Sequence, residues 1–331
     1  MKKFNLSKMT ILITTLILLL VVVGCGSPSV PSDNSSDVES VEITDIYGTV
    51  VVPVNPKVVV ALDNRTFETL EDWGIKLAAA PKGVMNADSS YVLDESVLDI
   101  GNHREPNLEI IAAVNPDLVI IGQRFASYYD EIVALVPNAA VINLNFDVSE
   151  EATAPGDNLV NGLINSTVAL GKIFNKNVEA EKLVSDFEQA IGNIKTAYNG
   201  VDTIMSVVVS GGNIGFSAPR SGRVWGPMYE IFEWVPSLDI NNATSDHQGD
   251  EISVEAIAQS NPDWIFVLDR DAATAGDSVP AQDVIDNSPA LQNVTAVTEG
   301  NIVYAPADTY TNESIQTYIE LFRTIAVALA R

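Results

Sequence analysis

The segment NPDLVIIGQR, Asn115 to Arg124, returns 146 positions later as NPDWIFVLDR, Asn261 to Arg270. The likeness reaches upstream, where LEIIAAV precedes the first copy and VEAIAQS the second. Each copy reads as a helix halted before proline, a turn, and a short buried strand that ends near an arginine. A strand-like run alone could recur by chance. Here the polar punctuation recurs with it: Glu109 with Glu255, Asn-Pro-Asp with Asn-Pro-Asp, arginine with arginine. A chain that writes this unit twice is constrained to two similar halves, each presenting a cation at a strand end.

The flanking pattern agrees. SVEITDIYGTVVVPVNP predicts a hairpin around Tyr47-Gly48. Beyond it, KVVVALD, KLAAAPKG, DLVIIG and AAVINLNF are short strands separated by helical stretches such as NRTFETLEDWGI. That alternation is the rhythm of a parallel sheet covered by helices. From Asp157 to Gly200 nothing resembles a strand, and Val178, Leu183, Val184, Phe187, Ile191 and Ile194 recur at helical spacing. The strand–helix rhythm then restarts at DTIMSVVVSGG and runs through NIGFSAP, GPMYEIFEWVP, SVEAIAQSNP and DWIFVLD. The predicted fold class is α/β: two Rossmann-like lobes with central sheets, joined by one long connecting helix, with a ligand cleft between the lobes. Predicted boundaries are an N-terminal lobe at 41–157, a helical connector region at 158–199, and a C-terminal lobe at 200–331.

The first 40 residues obey different rules. Lys2, Lys3 and Lys8 precede an apolar run from Ile11 to Val23, shorter than the roughly 20 residues a membrane span needs. This is the layout of a secretory signal, here 1–24. Val22-Val23-Gly24-Cys25 looks like a bacterial lipobox, and Cys25 is the single cysteine, so lipidation there is predicted and an intramolecular disulfide is excluded. Residues 25–40, rich in Ser, Pro, Asp and Asn, read as a flexible tether. A soluble domain on one acylated terminus stays at the membrane surface. Setting the three signal lysines aside leaves 15 basic against 44 acidic residues, about −29. Nucleic acid is a poor partner for such a surface.

In so acidic a chain, each arginine placed at a site matters. Ligands of open α/β sheets bind beyond the carboxyl ends of the strands, where Arg124 and Arg270 both lie. If the lobes face each other, the two converge on one anionic ligand, since guanidinium supplies several donors and is weakly hydrated. A third cation comes from SAPRSGRVWG, as Arg223 or, in its place, Arg220. The alternative for any one of them is an ordinary surface pair. Of two histidines, His103 reads as a solvated loop residue, and His247 in SDHQGDEIS and Tyr310 in ADTYTNES sit on loops at helix entries. Trp225, Phe125, Tyr128 and Tyr310 are candidate cleft walls, with core packing as the alternative. The chain lacks a Gly-x-Ser-x-Gly elbow, a phosphate loop and a His-Glu-x-x-His pair, so no enzyme is predicted.

Lipobox, tether, two α/β lobes and connecting helix together resemble the helical-backbone class of ABC-transporter substrate-binding lipoproteins that carry iron-siderophores and cobalamin. Within it, IIGQR, FVLDR and SGRVWG are most similar to the ferric-catecholate binders, petrobactin receptors included. The resemblance implies an iron(III)-siderophore complex as ligand, no cofactor of the protein's own, and a monomer anchored on the extracellular face of a Gram-positive-type cell membrane. It implies binding roles for Arg124, Arg223, Arg270, Trp225, Tyr310 and His247, with His247 and Tyr310 as direct iron ligands. An ABC permease and its ATPase are the implied partners, docked through Glu68 or Glu71 on one lobe and Glu230 or Glu233 on the other. Haem or cobalamin is the alternative ligand. A surface sensor that kept the fold without transport is the alternative role.

Overall fold

The computed structural model describes residues 39–149, 151–240, 248–250, 252–274 and 279–331, all within one compact unit. Cys25, the signal segment and His247 lie outside the described residues.

A hairpin opens the structure, β1 (Ser40–Asp45) against β2 (Gly48–Pro53). Asp45 Oδ1 accepts the N–H groups of Tyr47 and Gly48 and closes its turn. The first lobe's sheet follows: β3 (Val59–Leu62), β4 (Ala79–Ala80), β5 (Leu98–Asp99), β6 (Leu118–Ile121) and β7 (Ala140–Asn143). These are all parallel, in the order β5-β4-β3-β6-β7. The second lobe carries β8 (Thr203–Ser210), β9 (Asn213–Phe216), β10 (Val235–Pro236), β11 (Trp264–Asp269) and β12 (Ile302–Tyr304), in the order β10-β8-β11-β12. Only β9 runs antiparallel, returning along β8 as a hairpin. Both sheets are buried on two faces, because successive side chains alternate. Thus Leu118 and Ile120 enter one core of the first lobe and Val119 and Ile121 the other. In β11, Phe266 and Leu268 face one core of the second lobe while Ile265 and Val267 face its opposite.

The duplicated segment has one job in both lobes. Glu109 and Glu255 occupy the first turns of the helices Leu108–Ala113 and Val254–Ser260, where a carboxylate favours the positive end of the helix dipole. Asn115 and Asn261 both take left-handed backbone, φ 46° and 44°, a conformation asparagine tolerates at a helix end. Proline then blocks further helix. Asp117 Oδ2 accepts the N–H groups of Lys57 and Val58 at 2.8 and 2.9 Å. Asp263 Oδ2 accepts the Thr203 N–H at 2.7 Å and its hydroxyl at 2.8 Å. Each aspartate therefore ties down the start of the neighbouring strand, β3 or β8, and sets the register of the pair.

The region between the lobes holds two helices, Pro155–Ile173 and Asn177–Ala197, separated at Asn175 (φ 53°). The first is the bridge. Its Leu159 and Leu163 sit in the core of the second lobe, and its Leu170 and Ile173 sit in the core of the first. Nineteen residues give it a length of about 28 Å. The second helix turns back and packs Phe187 and Ile194 into the second lobe, against the C-terminal helix Ile315–Leu329. Val178, part of the predicted apolar stripe, points outward at 77% exposure.

Phe187 is fully buried and stacks on Phe322 at 5.7 Å. Phe187→Ala should therefore cost about 3–5 kcal/mol, and Val178→Ala no more than about 0.5 kcal/mol. Urea unfolding of both variants measures the contrast.

Candidate ligand-binding site

The central strands end where the lobes meet. Beyond β3 come Asp63, Asn64 and Arg65; beyond β6 come Gly122, Gln123 and Arg124; Arg270 follows β11 directly. Arg124 and Arg270 line the same cavity, about 700 Å³, together with Arg104, His103, Asp308 and Tyr310. The two copies of the repeat thus place one guanidinium each on a shared cavity. Arg270 Nη1 donates to Ser210 Oγ at 3.2 Å, at the end of the adjacent strand β8.

Beside it lies a denser cluster, on a second cavity of about 270 Å³ lined by Arg65, Phe146, Arg223 and Glu313. Arg223 Nη2 donates to Glu313 Oε1 at 2.5 Å and to the Tyr310 carbonyl at 3.0 Å. Arg65 Nε donates to Glu313 Oε2 at 3.3 Å, and its guanidinium lies 3.9 Å from the centre of the Phe146 ring. One buried carboxylate therefore holds an arginine from each lobe. Two cations approach the Tyr310 ring, with the guanidinium carbon of Arg223 at 4.5 Å and that of Arg270 at 5.4 Å from its centre.

Electrostatics follow from this packing. Burial pushes the Glu313 carboxyl up, but the guanidinium groups of Arg223, Arg65 and Arg124 outweigh it and hold it below the usual carboxylate range. Burial, aided by repulsion from Arg223, pushes Arg124 down from its ordinary value, and an arginine remains charged through such a shift. Arg124 Nε and Nη2, Arg223 Nε and Arg270 Nε are buried donors with no hydrogen-bond partner among the described residues. Unpaired buried donors are costly. A ligand rich in acceptor oxygens would satisfy them.

The other predicted residues are placed as follows. Arg223 is in the cluster, whereas Arg220 is exposed and donates to the Ala152 carbonyl at 3.3 Å. Trp225 and Phe125 are corrections. Both are fully buried, Trp225 against Phe266 at 5.6 Å, so neither walls the cavity. His103 is a correction of the opposite kind, half-buried and on the cavity wall. Tyr310 lines the cavity, while its proposed companion at iron, His247, lies outside the described residues. Among the described residues, no three His, Cys, Asp or Glu side chains gather as a metal site.

Among the glutamates, Glu68 is drawn into the seam between the lobes. It accepts from the Ser314 hydroxyl, from Asn312 Nδ2 at 2.9 Å and from Thr317 Oγ1 at 3.3 Å. Glu71 accepts the Ser90 N–H and the Ser89 hydroxyl. Both carboxylates are therefore hydrogen-bonded within the fold. Glu230 and Glu233 are exposed, with Glu230 Oε2 accepting the Gly156 N–H at 3.1 Å.

Sequence reasoning missed Asp63, Arg65 and Glu313. A signal for Arg65 was present: it follows the end of β3 by three positions, as Arg124 follows the end of β6. Glu313 carried none, being one acid among 44 acidic residues.

Residues 59–309 match the family model described as periplasmic binding protein. Petrobactin-binding protein YclQ of Bacillus subtilis is 30% identical over 318 residues, covering 94% of this chain and 93% of its own. Its crystal structure superposes with a TM-score of 0.73 over 88% of this chain and 99% of that one, at 24% identity. Ferric-anguibactin-binding protein FatB of Vibrio anguillarum is 28% identical over 295 residues, 88% of each chain. The crystal structure of the periplasmic catecholate-siderophore binding protein VctP of Vibrio cholerae gives a TM-score of 0.71 at 21% identity, over 88% and 99% of the two chains.

Replacing Glu313 with glutamine leaves two buried guanidinium groups without their counter-charge. Breaking a buried pair from one side costs about 3–5 kcal/mol, so E313Q should melt well below the parent chain. The pH dependence has a definite sign. A carboxyl held below its ordinary value of 4.5 stabilises the fold above that pH and loses the contribution as pH falls through its folded value. Calorimetry should show the parent losing stability below pH 4.5 more steeply than E313Q.

Proposed function

This chain belongs to the periplasmic binding protein family, and from that premise we propose that it captures a ferric siderophore of catecholate type and delivers it to an ABC importer for iron uptake. One observation carries the reading: buried guanidinium donors without partners converge on the cavity between the lobes. Iron(III) is a hard cation that prefers oxygen ligands, and catecholates wrap it in a compact, multiply negative complex with aromatic faces. Such a complex offers acceptor oxygens to Arg124, Arg270 and Arg223, and rings on which guanidinium groups stack. The names of YclQ and VctP support this class of cargo.

The remaining parts extend the proposal. Cys25 carries the lipid that keeps the monomeric binding domain on the outer face of the membrane; among the described residues no helix is long and apolar enough to cross it. The exposed Glu230 and Glu233 are the acids available to a permease on the second lobe. Tyr310 supplies a ring wall to the ligand, and His247 and Tyr310 reach iron only where the siderophore leaves coordination positions open.

The test is a fluorescence titration of the chain beyond Cys25 with a ferric catecholate siderophore, its iron-free form, a ferric hydroxamate, haem and cobalamin. Saturable quenching by the ferric catecholate alone, weakened at least tenfold in the double variant R124A/R270A and unchanged in R220A, is the expected result. Quenching by haem or cobalamin would overturn the ligand class. Silence across the panel would favour a sensor.

A further inference from the structure

The buried acid Asp63 directly follows strand β3, at 1% exposure, beside the arginine cluster. Its Oδ1 accepts the Arg65 N–H at 3.2 Å, and its Oδ2 has no hydrogen-bond partner among the described residues. The loop that carries Arg124 is shaped around it. A Cβ at Gly122 would fall 2.0 Å from Asp63 Oδ1, so only glycine leaves room for this carboxyl against the backbone two residues before Arg124.

That placement has two physical consequences. A buried carboxylate with an unsatisfied oxygen is costly when ionised, and a proton on Oδ2 removes the charge. When ionised, Asp63 also attracts Arg65 and, more weakly, Arg124, so its charge opposes any anion that arrives at these guanidinium groups. We propose that Asp63 is a proton-accepting determinant of ligand affinity: capture of a multiply anionic ligand at Arg124 is accompanied by uptake of a proton on Asp63. The proposal rests on the anionic-ligand reading above and deepens it, since it fixes how much positive charge the site presents.

The charged groups that face Asp63 are Arg65 from its own loop, Arg124 from the loop after β6, and Glu313 from the segment before the C-terminal helix. Burial dominates, outweighing the pull of Arg65 and Arg124, and with repulsion from Glu313 it pushes the carboxyl up to about 6. A bound anion adds repulsion and engages Arg124, which moves the carboxyl higher. Above pH about 6 the free protein is ionised at Asp63 and binding draws a proton in. Well below that pH both states already hold it and no proton moves. Affinity therefore rises as pH falls toward 6, by at most about tenfold per unit for one proton, and this contribution then levels off.

Catecholates titrate as well, so the informative quantity is the difference between the parent chain and D63N. Isothermal titration with a ferric catecholate siderophore at pH 7.5, in two buffers of different ionisation enthalpy, counts the protons taken up. The parent should take up more protons than D63N, with the difference approaching one, and D63N should bind more tightly than the parent at pH 8. Equal proton counts in the two proteins would overturn the proposal. Should D63N not fold, carboxyl carbon NMR of the parent chain replaces it. One aspartate titrating near pH 6 and moving higher with ligand supports the assignment; every aspartate at its ordinary value, or a high one that ligand does not move, sinks it. No ferric catecholate binding at all, with an aspartate still titrating near 6, would defeat the ligand reading and leave the buried carboxyl standing.

Discussion

Everything at the junction of the lobes depends on one buried carboxylate. Glu313 is 5% exposed and receives Arg65 from the first lobe and Arg223 from the second. Without that counter-charge the guanidinium groups gathered there would repel one another in a poorly solvated space. With it, Arg65 and Arg223 are fixed, while Arg124 Nε and Nη2 and Arg270 Nε are buried without a hydrogen-bond partner among the described residues. The chain as a whole has a net charge of −26, yet its centre is basic. An acidic exterior around a focused positive cavity discourages unspecific anion binding on the surface and concentrates attraction at one place.

The same seam shapes the dynamics. Asn64 Nδ2 donates to the Thr311 carbonyl, Thr69 Oγ1 to Gln316 Oε1, and Gln316 Nε2 to Asp72 Oδ2. Glu68 adds its three bonds to the same stretch of the second lobe. A bridging helix anchored in both cores and a seam this densely bonded resist a wide hinge opening.

Much of this was legible in the sequence because a repeated phrase carries repeated physics. Asn-Pro-Asp encodes a left-handed cap, a helix stop and an anchor for the neighbouring strand, and the apolar run after it encodes a buried parallel strand. What could not be read were properties of the packed whole. Trp225 stands in a binding-loop context, but its ring was needed to fill the core beside Phe266. Val178 matched the helical period, yet it stands at the exposed first turn of its helix. Glu68 looked like any surface glutamate on a helix, because the hydroxyls and amide that claim it come from residues about 245 positions away. The Asp63–Gly122 contact joins two neighbouring strand ends, and nothing local in either segment announces it.

The proposed function requires the two copies of the repeat to aim their arginines at a single bound anion. Co-crystallisation with a ferric catecholate siderophore, with data collected at the iron absorption edge, tests it directly. One anomalous peak is expected in the cavity between Arg124 and Arg270, with ligand oxygens within hydrogen-bonding distance of both guanidinium groups. A peak elsewhere on the molecule, or a ligand held by one arginine alone, would contradict it.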